Sequence, residues 1–300
     1  MSILLPLRSN QKYHVSNKNS MLKKINLLFI FLIITCILYA VNNNDYKTIF
    51  SVSIKVPGNK AIDYPLSLEK RGSSNSYIMK SESDIPLIIT RDINSVNGKT
   101  KIRINIQAKE DVYFNYSEKA LTGYSHNDCQ FLMPGFWYRK NLLSPKQAPS
   151  FHTSDSWTVR EDRLSTPLTG IFNEKNGEYI TITRIDSFTD EALITHKEGE
   201  VIISGKTSIG FTGFENVDGQ ATVHFGYPYQ ETPKSYIRKL TLAPPIKSFQ
   251  MLKEGESIQL EWELISSKAK DYSDFVKKVW EYSYDTYNPQ PVTSKYTTEQ

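Results

Sequence analysis

Cysteine is nearly absent from this chain: Cys36 and Cys129 are the two in 300 residues. Two thiols cannot build a disulfide framework, so the fold has to be held by a packed core. Neither a P-loop nor a dinucleotide-type glycine pattern occurs, and nothing in the sequence implies a nucleotide or other cofactor. His126, Asn127, Asp128 and Cys129 are metal-ligand types, but no second pair stands at zinc spacing, so no metal site is expected. Net charge is missing where it would matter. Residues 1–40 hold five cations (Arg8, Lys12, Lys18, Lys23, Lys24) and no acid, which leaves 31 Lys+Arg against 32 Asp+Glu over residues 41–300. That neutral body removes the electrostatic case for nucleic-acid binding. With 39% apolar residues and Gly and Pro at 14 each, the chain is neither collagenous nor low-complexity.

Long apolar runs are also scarce; there is one, Leu27 to Val41 (LLFIFLIITCILYAV), without a charge. Lys23 and Lys24 precede it and Asn42 to Asp45 follow, so residues 1–41 read as a signal peptide or signal anchor. Its fifteen residues fall short of the ~20 a spanning helix usually takes. Ile25 lengthens the run if Asn26 is tolerated, and the long basic arm before it favours an uncleaved membrane anchor if Met1 is the start. Met21 is an alternative start. Thr35 makes the Ile33–Cys36 stretch a poor lipobox, and Leu38-Tyr39-Ala40 is a poor cleavage site. In every variant the positive flank stays inside and the body is exported, to a periplasmic, cell-surface or membrane-anchored location.

Beyond residue 45 the hydrophobic period is two. Residues 48–56 alternate up to Pro57-Gly58, and residues 101–106 alternate strictly after Asn97-Gly98, a hairpin dipeptide. Further strands are expected at 86–90, 112–116, 168–173, 178–186, 191–196, 200–204, 207–212, 220–227, 236–243 and 257–264. Residues 57–85 read as an irregular excursion. Half-apolar strands in this number predict an all-β fold, a large antiparallel β-sandwich over residues 45–265, too wide for one flat sheet. From Asp271 to Tyr282 the apolar spacing turns helical, with Asp271 or Ser273 as cap. Residues 271–300 are therefore expected to be an amphipathic connector helix and linker into a further domain.

Chemistry-bearing residues concentrate in 129–172. Trp137, Tyr138 and Trp157 offer flat apolar faces, and Arg139, His152, Asp155 and Arg160 offer hydrogen bonds. Aromatic faces beside charged groups suit sugars, whose C–H faces stack while their hydroxyls bond. Those seven are the candidate substrate-binding residues. Catalytic residues stay unassigned: Asp155 and Asp162 are a carboxylate pair of unknown separation, His152 lacks a nucleophile motif, and Glu161-Asp162-Arg163 reads more simply as a surface ion cluster. Asn115-Tyr116-Ser117 is a sequon.

The run Pro134-Gly135-Phe136-Trp137-Tyr138, followed by Ser150 to Arg163, resembles the N-terminal β-sandwich of exported bacterial glycan-degrading enzymes. In those enzymes an (α/α)6 toroid of six-hairpin glycosidase type follows the sandwich. The stretch from Val279-Trp280-Glu281 to Pro291-Val292 is similar to the helix and linker that open such a toroid. The resemblance implies a supersandwich that supports a toroid absent from this chain, lends a loop to a glycan cleft, and leaves the main catalytic carboxylates on the missing domain. The alternative is a stand-alone surface carbohydrate-binding or adhesion module. A third reading makes the sandwich itself a lyase or hydrolase through His152 and Asp155. Export is the most directly checked expectation. A reporter fused after residue 60 should be active only outside the cytoplasm, and cytoplasmic activity would refute it.

Overall fold

The computed structural model describes residues 47–72, 75–143, 148–185, 199–203, 205–233 and 245–289. Among them are seventeen strands and one α-helix, so the body is all-β. Strands are numbered in chain order. The first sheet contains β1 (Thr48–Lys55), β6 (Val112–Ser125), β9 (Trp157–Arg160), β12 (Gly199–Ile203), β13 (Phe211–Val217), β14 (Gln220–Tyr227), β15 (Gln230–Glu231) and β16 (Ile246–Leu252). The second contains β3 (Ser76–Lys80), β4 (Leu87–Val96), β5 (Lys99–Ala108), β7 (Cys129–Met133), β8 (Trp137–Arg139), β10 (Leu168–Asn173), β11 (Glu178–Arg184) and β17 (Ser257–Lys268). β2 (Ile62–Lys70) belongs to both, pairing first with β1 and then with β3. The first sheet runs β2-β1-β6-β14-β13-β9, and β16 joins the start of β6 and brings β12 and β15. The second runs β2-β3-β4-β5-β17-β11-β10-β7-β8. All these ladders are antiparallel except β12–β16.

Turn chemistry sets the registers. Asn97-Gly98 and Asp218-Gly219 take positive φ at both residues (51° and 76°, 51° and 81°), the geometry of tight hairpins whose twist matches the strands. Alternation then divides the faces. Ile102, Ile104 and Ile106 of β5 point inward, as do Tyr116, Glu118 and Ala120 of β6 and Val223 and Phe225 of β14. Glu118 is buried between the sheets because Arg91 of β4 reaches it through two bonds, Nε to Oε1 at 3.2 Å and a terminal nitrogen to Oε2 at 3.0 Å. The Tyr116 hydroxyl donates to the same carboxylate at 2.7 Å.

Three stretches differ from the sequence reading. Residues 57–85 contain β2 and β3, which the period missed because β2 is largely exposed on both faces. The strand expected at 207–212 begins at Phe211, since the Thr207 amide is taken by the Gln250 side chain (3.1 Å). Segment 129–172, where a strand was expected only at 168–173, also carries β7, β8 and β9. The leader 1–41, the strands expected at 191–196 and 236–243, and the linker from 290 onward lie outside the described residues.

The helix, α1 (Tyr272–Tyr287), starts where Asp271 Oδ1 accepts from the Asp274 amide (2.9 Å) and ends at Asn288 in a left-handed conformation, φ 41°. Tyr272, Phe275 and Val279 face one way and pack on Leu132, Leu168, Phe172, Tyr179 and Ile265, the outer side of the second sheet. The Phe275 ring stacks on Phe172 at 5.6 Å. It lies over Gly170, where an added Cβ would come within 2.6 Å of it. No helix among the described residues is long and apolar enough to cross a membrane. Phe275→Ala should therefore cost about 3–5 kcal/mol, and Gly170→Val should loosen the same contact. Denaturant unfolding checks both, and wild-type stability in both variants would show that the helix is not docked there.

Candidate functional site

The aromatic residues of the 129–172 segment do not form an open platform. β8 pairs with β7, and β9 with β13, so Trp137 and Trp157 point between the sheets and are fully buried. Their rings lie 5.6 Å apart, in a cluster with His126, Phe131, Phe151 and Phe214. Both indole N–H groups are used internally: Trp137 donates to the Arg139 carbonyl and Trp157 to the Ser154 carbonyl, each at 2.8 Å. Neither indole face is open to a ligand in this structure. Burial pushes the pKa of His126 down in the same cluster.

The Arg160–Arg163 charges are a clasp rather than a surface ion cluster. Arg160 and Glu161 are buried. Arg160 donates to both Asp162 oxygens (2.9 and 2.5 Å) and lies 4.4 Å above the Tyr229 ring. Glu161 accepts from the Gly210 amide at 2.8 Å and from Arg184 of β11 at 3.3 Å. Arg163 meets the buried Glu231 at 2.9 Å. Asp155 is half-buried, accepting from Ser156 (3.1 Å) and the Asn216 amide group (2.8 Å). His152 is exposed, its Nε2 lying 3.1 Å from the Leu142 carbonyl. Asn115 of the sequon is buried, its amide group donating to the Pro228 and Ser248 carbonyls (3.0 Å each), which leaves no room for a glycan in the folded chain. Cys129 is buried too, and burial pushes its thiol up to about 12.

Tyr138 and Arg139 behave differently. Both are exposed, at the edge of the second sheet beside the start of α1. Arg139 and Asn141 hold positive φ (57° and 49°), an uncommon conformation for side chains with a Cβ. It is held from several sides. The Arg139 amide donates to the Tyr272 hydroxyl (2.9 Å), which itself donates to the Phe131 carbonyl (2.9 Å). The Arg139 guanidinium sits 4.5 Å over the Tyr272 ring. Asn141 accepts from the Tyr138 amide (3.0 Å) and donates to the Phe136 carbonyl (3.2 Å). Burial pushes the Tyr272 hydroxyl up to about 12, so it remains a donor.

These residues surround a hollow of about 480 Å³ lined by Gln130 and by residues 138–143. An aromatic ring, a guanidinium, an ammonium and two exposed leucines meet in it, groups that serve a sugar or a protein surface. Of the seven candidates, two line the hollow and His152 touches its rim, while Asp155 is tied to Asn216 and the other three are built into the interior. Sequence reasoning missed Gln130, Lys140, Asn141, Leu142, Leu143 and Tyr272. Asparagine's tolerance of left-handed backbone was the available signal at 141.

No protein-family model matches the sequence, and no curated protein matches it. Solved structures resemble the chain at low identity. A polysaccharide lyase is 11% identical, covering 78% of this chain and 27% of its own, at a TM-score of 0.37. A GH36 α-galactosidase from Geobacillus stearothermophilus is 9% identical, covering 72% of this chain and 30% of its own, at 0.42. A Klebsiella pneumoniae protein assigned as an aldose 1-epimerase is 10% identical, covering 83% and 71%, at 0.40. The chain thus spans under a third of the lyase and of the galactosidase.

Burial separates the candidates by experiment. Trp157→Ala should cost about 3–5 kcal/mol, whereas Tyr138→Ala should stay within about 0.5 kcal/mol. A Trp157→Ala protein of wild-type stability in chemical denaturation would return that indole to the exposed site.

Proposed function

We propose that the chain is the exported β-sandwich of a glycan-processing enzyme, carrying a following domain of helical hairpins and bordering its glycan cleft. The observation that carries this is α1. One face is sealed to the sandwich through Phe275, while Trp280 and Tyr284 stay 38% and 63% exposed on a hollow with Glu281 and Asp285. Two large aromatics on the solvent side of a docked helix are an interaction surface by composition. The hollow at residues 138–143 adds the glycan half of the reading, since it adjoins the same helix at Tyr272. Main catalytic carboxylates would lie on the following domain, as the family resemblance implies. Export rests on the leader alone, which would also hold the protein at a membrane if uncleaved.

A stand-alone surface carbohydrate-binding module is the second reading, favoured by the exposed Tyr138, Leu142 and Leu143 around the hollow. The natural polypeptide separates the two. An antibody against residues 47–289 should recover from the source a protein substantially longer than 300 residues and rich in helix. In it, Trp280→Ser with Tyr284→Ser should reduce glycan turnover roughly tenfold or more without lowering the sandwich's Tm. A mature protein no longer than this chain that binds glycan would overturn the first reading in favour of the second.

A further inference from the structure

Five arginines of the sandwich meet a carboxylate: Arg91 meets Glu118, Arg103 meets Glu261, Arg160 meets Asp162, Arg163 meets Glu231 and Arg184 meets Glu161. Arg139 meets none among the described residues. The Tyr272 ring lies 4.5 Å from its guanidinium, and no described acceptor takes the guanidinium N–H groups. An exposed arginine needs no partner in water. This one differs in being held in place. Its φ of 57°, the bond from its amide to the Tyr272 hydroxyl and the ring beneath the guanidinium fix the fork at the wall of the 138–143 hollow. Donors fixed before a ligand arrives lower the ordering cost of binding.

The rest of the wall shares that sign or is neutral. Lys140 is half-buried, its Nζ donating to the Asn127 carbonyl at 3.2 Å and lying 5.4 Å from the centre of the Phe151 ring. An ammonium has three donors, so bonds remain for a ligand. No carboxylate lines the hollow among the described residues. The acids beside Gln130 are already engaged: Glu174 accepts from Gln130 Nε2 at 2.9 Å, and Asp128 pairs with Lys175 at 2.8 Å. Arg139, Lys140 and Lys175 against Asp128 and Glu174 leave this corner one charge positive, on a body that is neutral as a whole. Tyr138 adds an exposed ring whose orientation is set by its hydroxyl, which accepts from the Gly135 amide at 3.1 Å. The volume of about 480 Å³ lies within the ~300–1,000 Å³ usual for small ligands. A guanidinium fork matches an oxyanion through two bonds, and an ammonium adds a point charge. A neutral sugar would use the ring and leave both cations idle.

We propose that the 138–143 hollow takes an anionic sugar. Arg139 and Lys140 bind its carboxylate or sulfate ester, and Tyr138 stacks on a C–H face of the same ring. This rests on the glycan reading of the hollow and narrows it to acidic polysaccharides. Calorimetry on the full chain tests it with short oligogalacturonates, their methyl esters, and sulfated galactan oligosaccharides with their desulfated forms. At least one acidic probe should bind roughly tenfold more tightly than its uncharged counterpart; which one does identifies the charged group. Raising salt from ~0.01 to ~0.15 M should shrink that preference severalfold. Arg139→Gln should erase the preference and leave Tm nearly unchanged, Arg139→Lys should keep part of it, and Tyr138→Ala should weaken charged and uncharged probes alike. Equal affinity for charged and uncharged probes, lost in Tyr138→Ala, would overturn the anionic assignment while sparing the glycan reading. Acetate or free sulfate competing as well as the oligosaccharides would show a bare anion site and overturn it too. Binding of no saccharide would remove both.

Discussion

Glu118 sits without solvent contact between two sheets, and its neutralisation by Arg91 and Tyr116 is the interaction on which the rest of the structure depends. β6 pairs with β1, β14 and β16, so its register propagates through most of the first sheet. A slip of one residue would move Lys119 into the core and leave Arg91 buried without a counter-charge. Breaking such a pair costs about 3–5 kcal/mol, so the slipped registers are excluded. The same alternation that buries Glu118 turns Lys119 outward, opposite His224. The outer row is thus a consequence of the inner ion pair.

A second buried pair supports the far end. Arg184 of β11 reaches Glu161 across the sheets, with its guanidinium 5.2 Å from the Trp262 ring and 5.6 Å from that of Tyr227. Gly210 makes this possible, since a Cβ there would lie 2.7 Å from Arg184 and 2.8 Å from Glu161. Cys129 is the only thiol of the body, so charge pairs and aromatic packing do the cross-linking that disulfides do in many exported domains. Ion pairs of this kind are weak stabilisers against a hydrophobic substitute, but strong selectors of one register. For a sandwich with seventeen strands among its described residues, selecting one register is the harder task.

The elements legible in the sequence are those whose determinants are local. β10 and β14 match the alternating runs at both ends, and the Asn97-Gly98 hairpin forms where its dipeptide requires it. The capping of α1 by Asp271 was equally readable. Trp137 and Trp157 misled for a physical reason. Proline-rich aromatic sequence looks the same whether its rings face water or core; the pairing of β9 with a strand more than fifty residues on buries Trp157, and Trp137, on β8, packs against it. Tyr138 and Arg139 kept their exposure because β8 ends there, at the sheet edge.

Charge and aromaticity alone do not distinguish structure from site in this molecule; leftover bonding capacity does. Arg160 is the kind of residue that recognises sugars, yet its guanidinium is bound to both Asp162 oxygens and covered by Tyr229, so little remains for a ligand. His224 has spent one ring nitrogen on Glu215 and packs its ring against the buried Phe211, edge to face at 5.0 Å. The Tyr138–Leu143 loop shows the same asymmetry in backbone form: left-handed conformations held by Tyr272 and Asn141 keep exposed apolar groups around a hollow that the sandwich itself does not fill. Strain and unmet hydrogen bonds persist only where the surrounding structure enforces them. Here the enforcing elements are the docked helix for the loop and the β6 register for the histidine.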